Sequence, residues 1–288
     1  MFSGGEKQMS SYTIQSLLRQ TIDIFREAGI ENARGEAEIL FSEKLNIPRL
    51  ELYVSPDVKI SPGAQRKLCE FIERRTLREP LQYILGRAHF MDLSLEVGPG
   101  VLIPRPETEL LAEYVIKHAP PDAEVCDIGT GSGAIALAVA FERPDVMVTG
   151  VELSGEAIKY ARKNLRRYKL NNAKIIHGDL FSRLKGKRFD VITANLPYVT
   201  EEEYCCLDDE VRCHEPISAL VGGYDGLDVV RRLVAQSPEH LKEEAFMILE
   251  LGVDHGDEVC AICRATKYFS DVKILKDLTG RNRFVVAR

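Results

Sequence analysis

Apolar residues recur at helical spacing through the first part of the chain. In SYTIQSLLRQTIDIFREAGI, Ile14, Leu17, Leu18, Ile22, Phe25 and Ala28 fall on one face, and Gly29 is a natural stop. Asn32 can cap a second helix carrying Ala33, Ala37, Leu40 and Phe41. Ser61-Pro62 reads as a cap followed by proline at the first helical position; the helix it opens carries Leu68, Phe71 and Ile72 and ends before Pro80. Together these predict a small all-helical domain over residues 1–82.

The period then changes. Phe90, Leu93, Leu95 and Val97 suggest extended chain, broken by Gly98-Pro99-Gly100, so residues 83–105 read as a β-hairpin connector. Pro106 begins a helix through Leu110, Leu111, Tyr114 and Val115, and residues 106–288 form the second domain. From about residue 123 strands and helices alternate. Strands are predicted at EVCDI, VMVTGVE, AKIIHG, DVITA, AFMILEL, VKILK and RFVVAR. Helices fall at GAIALAVAF, GEAIKYARKNLRRY, LDVVRRLVAQ and GDEVCAICRAT. This is the signature of an α/β fold with a mostly parallel sheet covered on both faces. The last two strands are joined only by DLTGRN, too short for a parallel crossover, so one strand must run antiparallel.

Composition narrows the class. Hydrophobic residues are 45% and charged residues 28%, as in a soluble globular protein. A net charge of −6 argues against indiscriminate nucleic-acid binding, and no direct nucleic-acid contact is expected. No apolar run is long enough to span a membrane. MFSGGEKQMSS lacks an apolar signal core, which makes a cytoplasmic location the expectation; residues 1–8 read as a flexible leader, with Met9 a plausible start. The seven cysteines are irregularly placed. Cys260 and Cys263 form a C-x-x-C, but within a helical pattern and without a second pair, so reduced structural thiols and no metal site are expected.

The candidate chemistry starts at EVCDIGTGSGAIALA, a strand, a glycine turn and a helix. Gly129, Gly131 and Gly133 allow φ > 0 and close approach of a ligand to the backbone, with Thr130 and Ser132 between them. The spacing is G-x-G-x-G, not the dinucleotide fingerprint, and no lysine follows as in a P-loop. Glu152 ends the next strand, where a carboxylate can accept both hydroxyls of a ribose. Asp127, just before the glycines, can reach the amino group of an amino-acid moiety. These pieces resemble the class I S-adenosylmethionine-dependent methyltransferases, whose seven-stranded sheet ends in an antiparallel strand. The resemblance implies S-adenosylmethionine as cofactor, S-adenosylhomocysteine as product, and Asp179 or Leu180 against the adenine.

DVITANLPYVT carries the second half of the chemistry. Asn195-Leu196-Pro197-Tyr198 stands at the carboxyl end of the fourth strand, the edge where open α/β sheets bind ligands. In these methyltransferases a turn of this type marks enzymes that alkylate a nitrogen conjugated to a π-system. Such a nitrogen is a poor nucleophile because its lone pair is delocalised. The Asn195 side-chain carbonyl can accept one N–H and the Leu196 main-chain carbonyl the other, which turns the lone pair toward the electrophile. Pro197 stiffens the turn and Tyr198 can pack on the planar acceptor.

Other segments point to a substrate. EPLQYILGRAHFMDLSLEVGPGVLIPRPETELL resembles the connector of the HemK/PrmC family, peptide chain release factor N5-glutamine methyltransferases, through Pro104, Arg105, Pro106, Glu107, Thr108 and Glu109. HEPISALVGGYDGLD is similar to that family through Glu215, Pro216, Ala219, Leu220, Gly222, Gly223, Asp225, Gly226 and Leu227, and the ending through Asp277, Gly280 and Arg283. The resemblance implies a monomer acting on the glutamine of the Gly-Gly-Gln loop of class 1 release factors. The helical domain would help grip that factor, and Arg105 and Glu107 would anchor the loop or brace the active-site wall. Leu196 departs from the family, which carries proline there; N-L-P-Y is common among ribosomal-RNA adenine dimethylases. An adenine N6-methylase of RNA or DNA, a glutamine methylase of a ribosomal protein, and a cofactor-binding partner protein without turnover are the alternatives.

Overall fold

The computed structural model describes residues 12–288, so the expected leader before Met9 lies outside the described residues. The chain folds as two units, one up to Leu85 and one from Gly86. The first unit is helical: α1 Ile14–Glu27, α2 Ala33–Leu45, α3 Glu51–Val54, α4 Pro62–Thr76 and α5 Leu81–Leu85. The caps follow the sequence. Asn32 accepts from Gly35 N, and Ser61 accepts from Ala64 N with Pro62 at the first helical position. Leu17, Phe25, Ala37, Leu40, Phe41, Leu68 and Ile72 interlock in its core. The short helices α3 and α5 carry no apolar repeat long enough to be read from sequence.

The second unit opens with the hairpin β1 Arg87–Phe90 and β2 Leu93–Glu96, then α6 Pro106–His118. There follow β3 Glu124–Ile128, α7 Ala134–Glu142, β4 Met147–Glu152, α8 Ala157–Tyr168, β5 Ala173–His177 and β6 Phe189–Asn195. Two one-turn helices, α9 Glu201–Tyr204 and α10 Asp209–Arg212, precede α11 Asp228–Gln236, β7 Leu241–Glu250, α12 Gly256–Ala265, β8 Val272–Lys276 and β9 Asn282–Ala287. The seven-stranded sheet has the order β5-β4-β3-β6-β7-β9-β8. Its pairs are parallel except those of β9, which runs antiparallel to both neighbours, as the short final connection requires. One face is covered by α6, α7 and the hairpin through Leu111, Val115, Leu137 and Leu95; the other by α11 and α12 through Leu233, Val234 and Val259. Burial on both faces explains why residues 191–194 in the middle of β6 are apolar or β-branched without alternation.

The hairpin is fastened to α8 of its own unit. Asn164, wholly buried, accepts from Glu96 N at 2.7 Å and donates to the Glu96 carbonyl at 3.1 Å, while the Tyr168 hydroxyl meets the backbone of Ser94. The same Asn164 amide donates to Ser132 O at 2.9 Å, so the hairpin, α8 and the glycine turn share one side chain.

Candidate active site

The glycine turn follows β3 directly. Gly129, Gly131 and Gly133 have φ of 73°, 59° and 88°, the left-handed region that a side chain disfavours, which is why three glycines alternate here. Gly129 N and Thr130 N both donate to Val151 O, hooking the turn onto β4. Asp127 is fully buried beneath it. Its Oδ2 accepts from Thr130 Oγ1 at 2.5 Å, and its Oδ1 has no partner. Burial pushes the Asp127 carboxyl up to about 7, against the pull of the Thr130 hydrogen bond. Glu152 reaches the same turn: one oxygen accepts from Gly131 N and the other from Ser154 N, each at 2.7 Å. Asp127, the glycines and Glu152, separated in sequence, thus form one cradle.

The amide turn stands beside it. A Cβ on Gly129 would lie 3.0 Å from Leu196 Cδ2 and 3.6 Å from Asn195 O. Leu196 is therefore buried against the glycine turn. Asn195 Nδ2 donates to Thr108 Oγ1 at 3.1 Å, which leaves the Asn195 carbonyl oxygen for the cleft. A pocket of about 230 Å³ opens there, lined by Leu102, Arg105, Asn195, Tyr198, Leu207 and Leu220 among others. Tyr198 is half-buried, and desolvation with the nearby Glu250 pushes its phenol pKa up. The segment containing V-G-G-Y-D-G-L holds the turn in place. Val199 N donates to Leu220 O and Gly222 N to Val199 O, both at 2.9 Å. A Cβ on Gly222 would fall 2.4 Å from Pro197 O, and one on Gly226 would fall 2.2 Å from Tyr198 O. Those glycines are required by close backbone approach.

Arg105 is committed to an ion pair: its Nη2 donates to Glu215 Oε1 at 2.6 Å. Glu215 Oε2 accepts from Ile103 N at 3.0 Å, so the buried Glu215 clamps the segment before α6, and both partners belong to the second unit. Glu107 is exposed. Asp179 pairs with Arg232 at 2.5 Å, and Leu180, at φ 45°, buries its side chain in the core under α11. Two residues at the site were not singled out for it in sequence, Thr108 and Glu250. Thr108 was hidden inside P-R-P-E-T-E. Glu250 had a signal, a lone carboxylate in the apolar strand FMILEL.

Comparison with known proteins places this geometry. Residues 16–86 match the PrmC N-terminal domain family and residues 106–207 the methyltransferase small domain family. A release factor glutamine methyltransferase of Geobacter sulfurreducens is 40% identical over 96% of this chain and 97% of its own. One of Pseudomonas aeruginosa is 41% identical over 89% and 93%. Among solved structures, a methyltransferase from Pyrococcus furiosus shares the fold with a TM-score of 0.53 at 17% identity, over 79% of this chain and 98% of that one. Similarity of this extent, spanning both units, shows that the chain belongs to the release factor glutamine methyltransferase family.

Proposed function

We propose that this chain transfers a methyl group from S-adenosylmethionine to the side-chain amide nitrogen N5 of the glutamine in the Gly-Gly-Gln loop of class 1 peptide chain release factors, acting as a cytoplasmic monomer. The observation that carries the reading is the Asn195 amide. With its NH2 spent on Thr108, it presents a hydrogen-bond acceptor beside the glycine turn.

The cradle suits the cofactor. The unpartnered, buried Asp127 Oδ1 is the acceptor an ammonium group needs, and the Glu152 carboxylate at Gly131 retains lone pairs for ribose hydroxyls. The backbone from Gly129 to Gly133 would line the methionine part, and Asp179-Leu180 the adenine. The cofactor supplies an electrophilic methyl group on a sulfonium.

This chain's own residues prepare the nucleophile. The Asn195 carbonyl oxygen accepts one N–H of the glutamine amide and the Leu196 main-chain oxygen the other. Both hydrogen bonds strengthen as the nitrogen becomes positive, so they favour the transition state over the ground state. Fixing the NH2 also aims its lone pair, which free rotation would waste. The Tyr198 ring and the pocket wall pack against the planar group. As the N–CH3 bond forms, the sulfonium would be left as a neutral thioether, and one of the two N–H bonds already on the nitrogen becomes acidic; its proton passes to solvent as the product leaves the pocket. Arg105 and Glu107 brace or line the entrance, and the helical unit would supply grip on the folded release factor.

Incubation with labelled cofactor and, separately, release factor, ribosomal proteins, RNA or DNA tests this. The Gly-Gly-Gln peptide should gain the mass of one methylene. Label confined to nucleic acid, or to a ribosomal protein, overturns the assignment.

A further inference from the structure

Asn195 and Glu250 end adjacent parallel strands, β6 and β7, and are partners in register. Side chains opposite one another across such a pair point to the same face. Thr108, from the first turn of α6, is buried beside them: its Oγ1 takes the Asn195 NH2 at 3.1 Å, and the Glu250 carboxyl is near enough for the Thr108 hydroxyl to favour its charged form. Glu250 is 2% exposed, and its Oε2 has no hydrogen-bond partner. The charged and titratable groups around it are Arg283 from β9, Arg105 and Glu107 at the start of α6, and Tyr198 from the amide turn. Arg105 is held by Glu215, and Arg283 lies 3.6 Å from Asp277.

A carboxamide has two ends of nearly equal shape, and only hydrogen bonding tells them apart. A threonine hydroxyl by itself cannot make the choice, since it both donates and accepts. A carboxylate only accepts. Beside one, the threonine proton is committed, and what remains for a third group is a lone pair.

Resting on the function proposed above, we infer that Thr108 and Glu250 are positioning residues for methyl transfer: Glu250 takes the Thr108 proton in a hydrogen bond, Thr108 can then only receive the Asn195 NH2, and the Asn195 carbonyl oxygen is turned to the substrate amide. A neutral Glu250 would donate to Thr108 instead and free the threonine proton. Asn195 could then turn its NH2 to the cleft, where it would repel the substrate N–H it should accept. Burial pushes the Glu250 carboxyl up to about 7, so the orientation holds above that pH and loosens below it.

The test uses the full chain with release factor at saturating cofactor. Wild-type kcat is expected to rise with pH through about 7. Glu250→Gln should lose that limb, and Thr108→Val should lower kcat about tenfold or more with cofactor affinity within about twofold, because one transition-state acceptor is misoriented. Thr108→Ser, which keeps the hydroxyl, should restore most of the rate. The readout that needs no turnover is the Asn195 side-chain NH2 pair in nitrogen-15 spectra, identified by its loss in Asn195→Ser. It should shift between pH 6 and 8 in wild type and stay fixed in Glu250→Gln. An NH2 pair indifferent to pH and to Glu250→Gln, or a Thr108→Val enzyme with wild-type kcat, overturns the inference. Should Thr108→Val fail to fold, the Glu250→Gln spectra decide the same question. Wild-type protein that shows the shift but does not methylate release factor overturns the proposed function alone.

Discussion

Gly129 and Leu196 touch: a methyl group placed on Gly129 would stand 3.0 Å from Leu196 Cδ2. The amide turn is therefore packed against the cradle through the Leu196 side chain. Gly129→Ala meets two penalties. Its φ of 73° costs an alanine about 1–2 kcal/mol, and the end of the Leu196 side chain must give by a few tenths of an ångström. Cofactor affinity should fall about tenfold, because the strained backbone lines the cradle, and kcat should fall as well, because Leu196 packs the amide turn against it. Adding Leu196→Ala removes the overlap and not the backbone strain. Recovery of kcat without recovery of affinity, measured by single-turnover kinetics and calorimetry, would separate the two causes.

Arg105 is the counter-ion of a carboxylate that has almost no solvent, since the Glu215 side chain is 1% exposed. Truncating the arginine leaves that charge unpaired. Because Arg105 itself is partly exposed and Ile103 N still serves Glu215, a cost of about 2 kcal/mol is expected for Arg105→Ala, below the range for a fully buried pair. Chemical denaturation should register it in the second unit, and Arg105→Lys should regain only part, since lysine lacks the guanidinium fork. A residue that merely touched substrate would change KM and leave the denaturation midpoint alone.

How far such residues were legible depended on whether their signal was local. The sheet was legible because strands buried on both faces must be apolar throughout, and the direction of β9 because DLTGRN is too short for a crossover. Gly129, Gly131 and Gly133 announced a turn through their spacing alone. Glu152 could be placed near them because consecutive parallel strands end on one edge. The Thr108–Asn195 hydrogen bond spans 87 positions, and the Arg105–Glu215 pair 110. No pattern along the chain encodes those contacts, which arise when α6 and the segment after β6 fold over the same edge. The side-chain pairing of Asp179 with Arg232 was hidden for the same reason.

Asp127 should make cofactor binding depend on pH. Its carboxyl is raised from 3.8 to about 7 by burial, so below pH 7 it is mostly neutral and a poorer partner for an ammonium group. Affinity should therefore increase from pH 6 to about 7.5, with proton release on binding at the lower pH. Asp127→Asn should bind weakly and with little pH dependence. The same burial acts on folding with the opposite sense. Between 3.8 and about 7 the folded chain holds a proton that the unfolded chain has lost, so this residue's contribution to stability declines as pH rises through that window. Unfolding free energies of wild type and Asp127→Asn should diverge from acid toward pH 8, with wild type losing ground. Parallel curves would mean that Asp127 titrates normally.

Gly226 tests the substrate side of the site in isolation from the cradle. A Cβ there would fall 2.2 Å from Tyr198 O and 3.0 Å from His255 Cε1, and its φ of 74° already disfavours a side chain. The obstacle on one side is backbone, which cannot rotate away, so Gly226→Ala has to displace Tyr198 and the turn behind Asn195. The neighbouring Val199–Leu220 and Gly222–Val199 hydrogen bonds transmit that displacement along the turn. Methyl transfer tolerates little of it, because a shift of about 1 Å in a positioning group costs on the order of a hundredfold in rate. Turnover on release factor should fall by about that factor, while calorimetric affinity for the cofactor, held by Asp127, Glu152 and the glycine turn, stays within about threefold. Equal losses in both would mean that the V-G-G-Y-D-G-L segment supports the whole edge of the sheet rather than the amide turn.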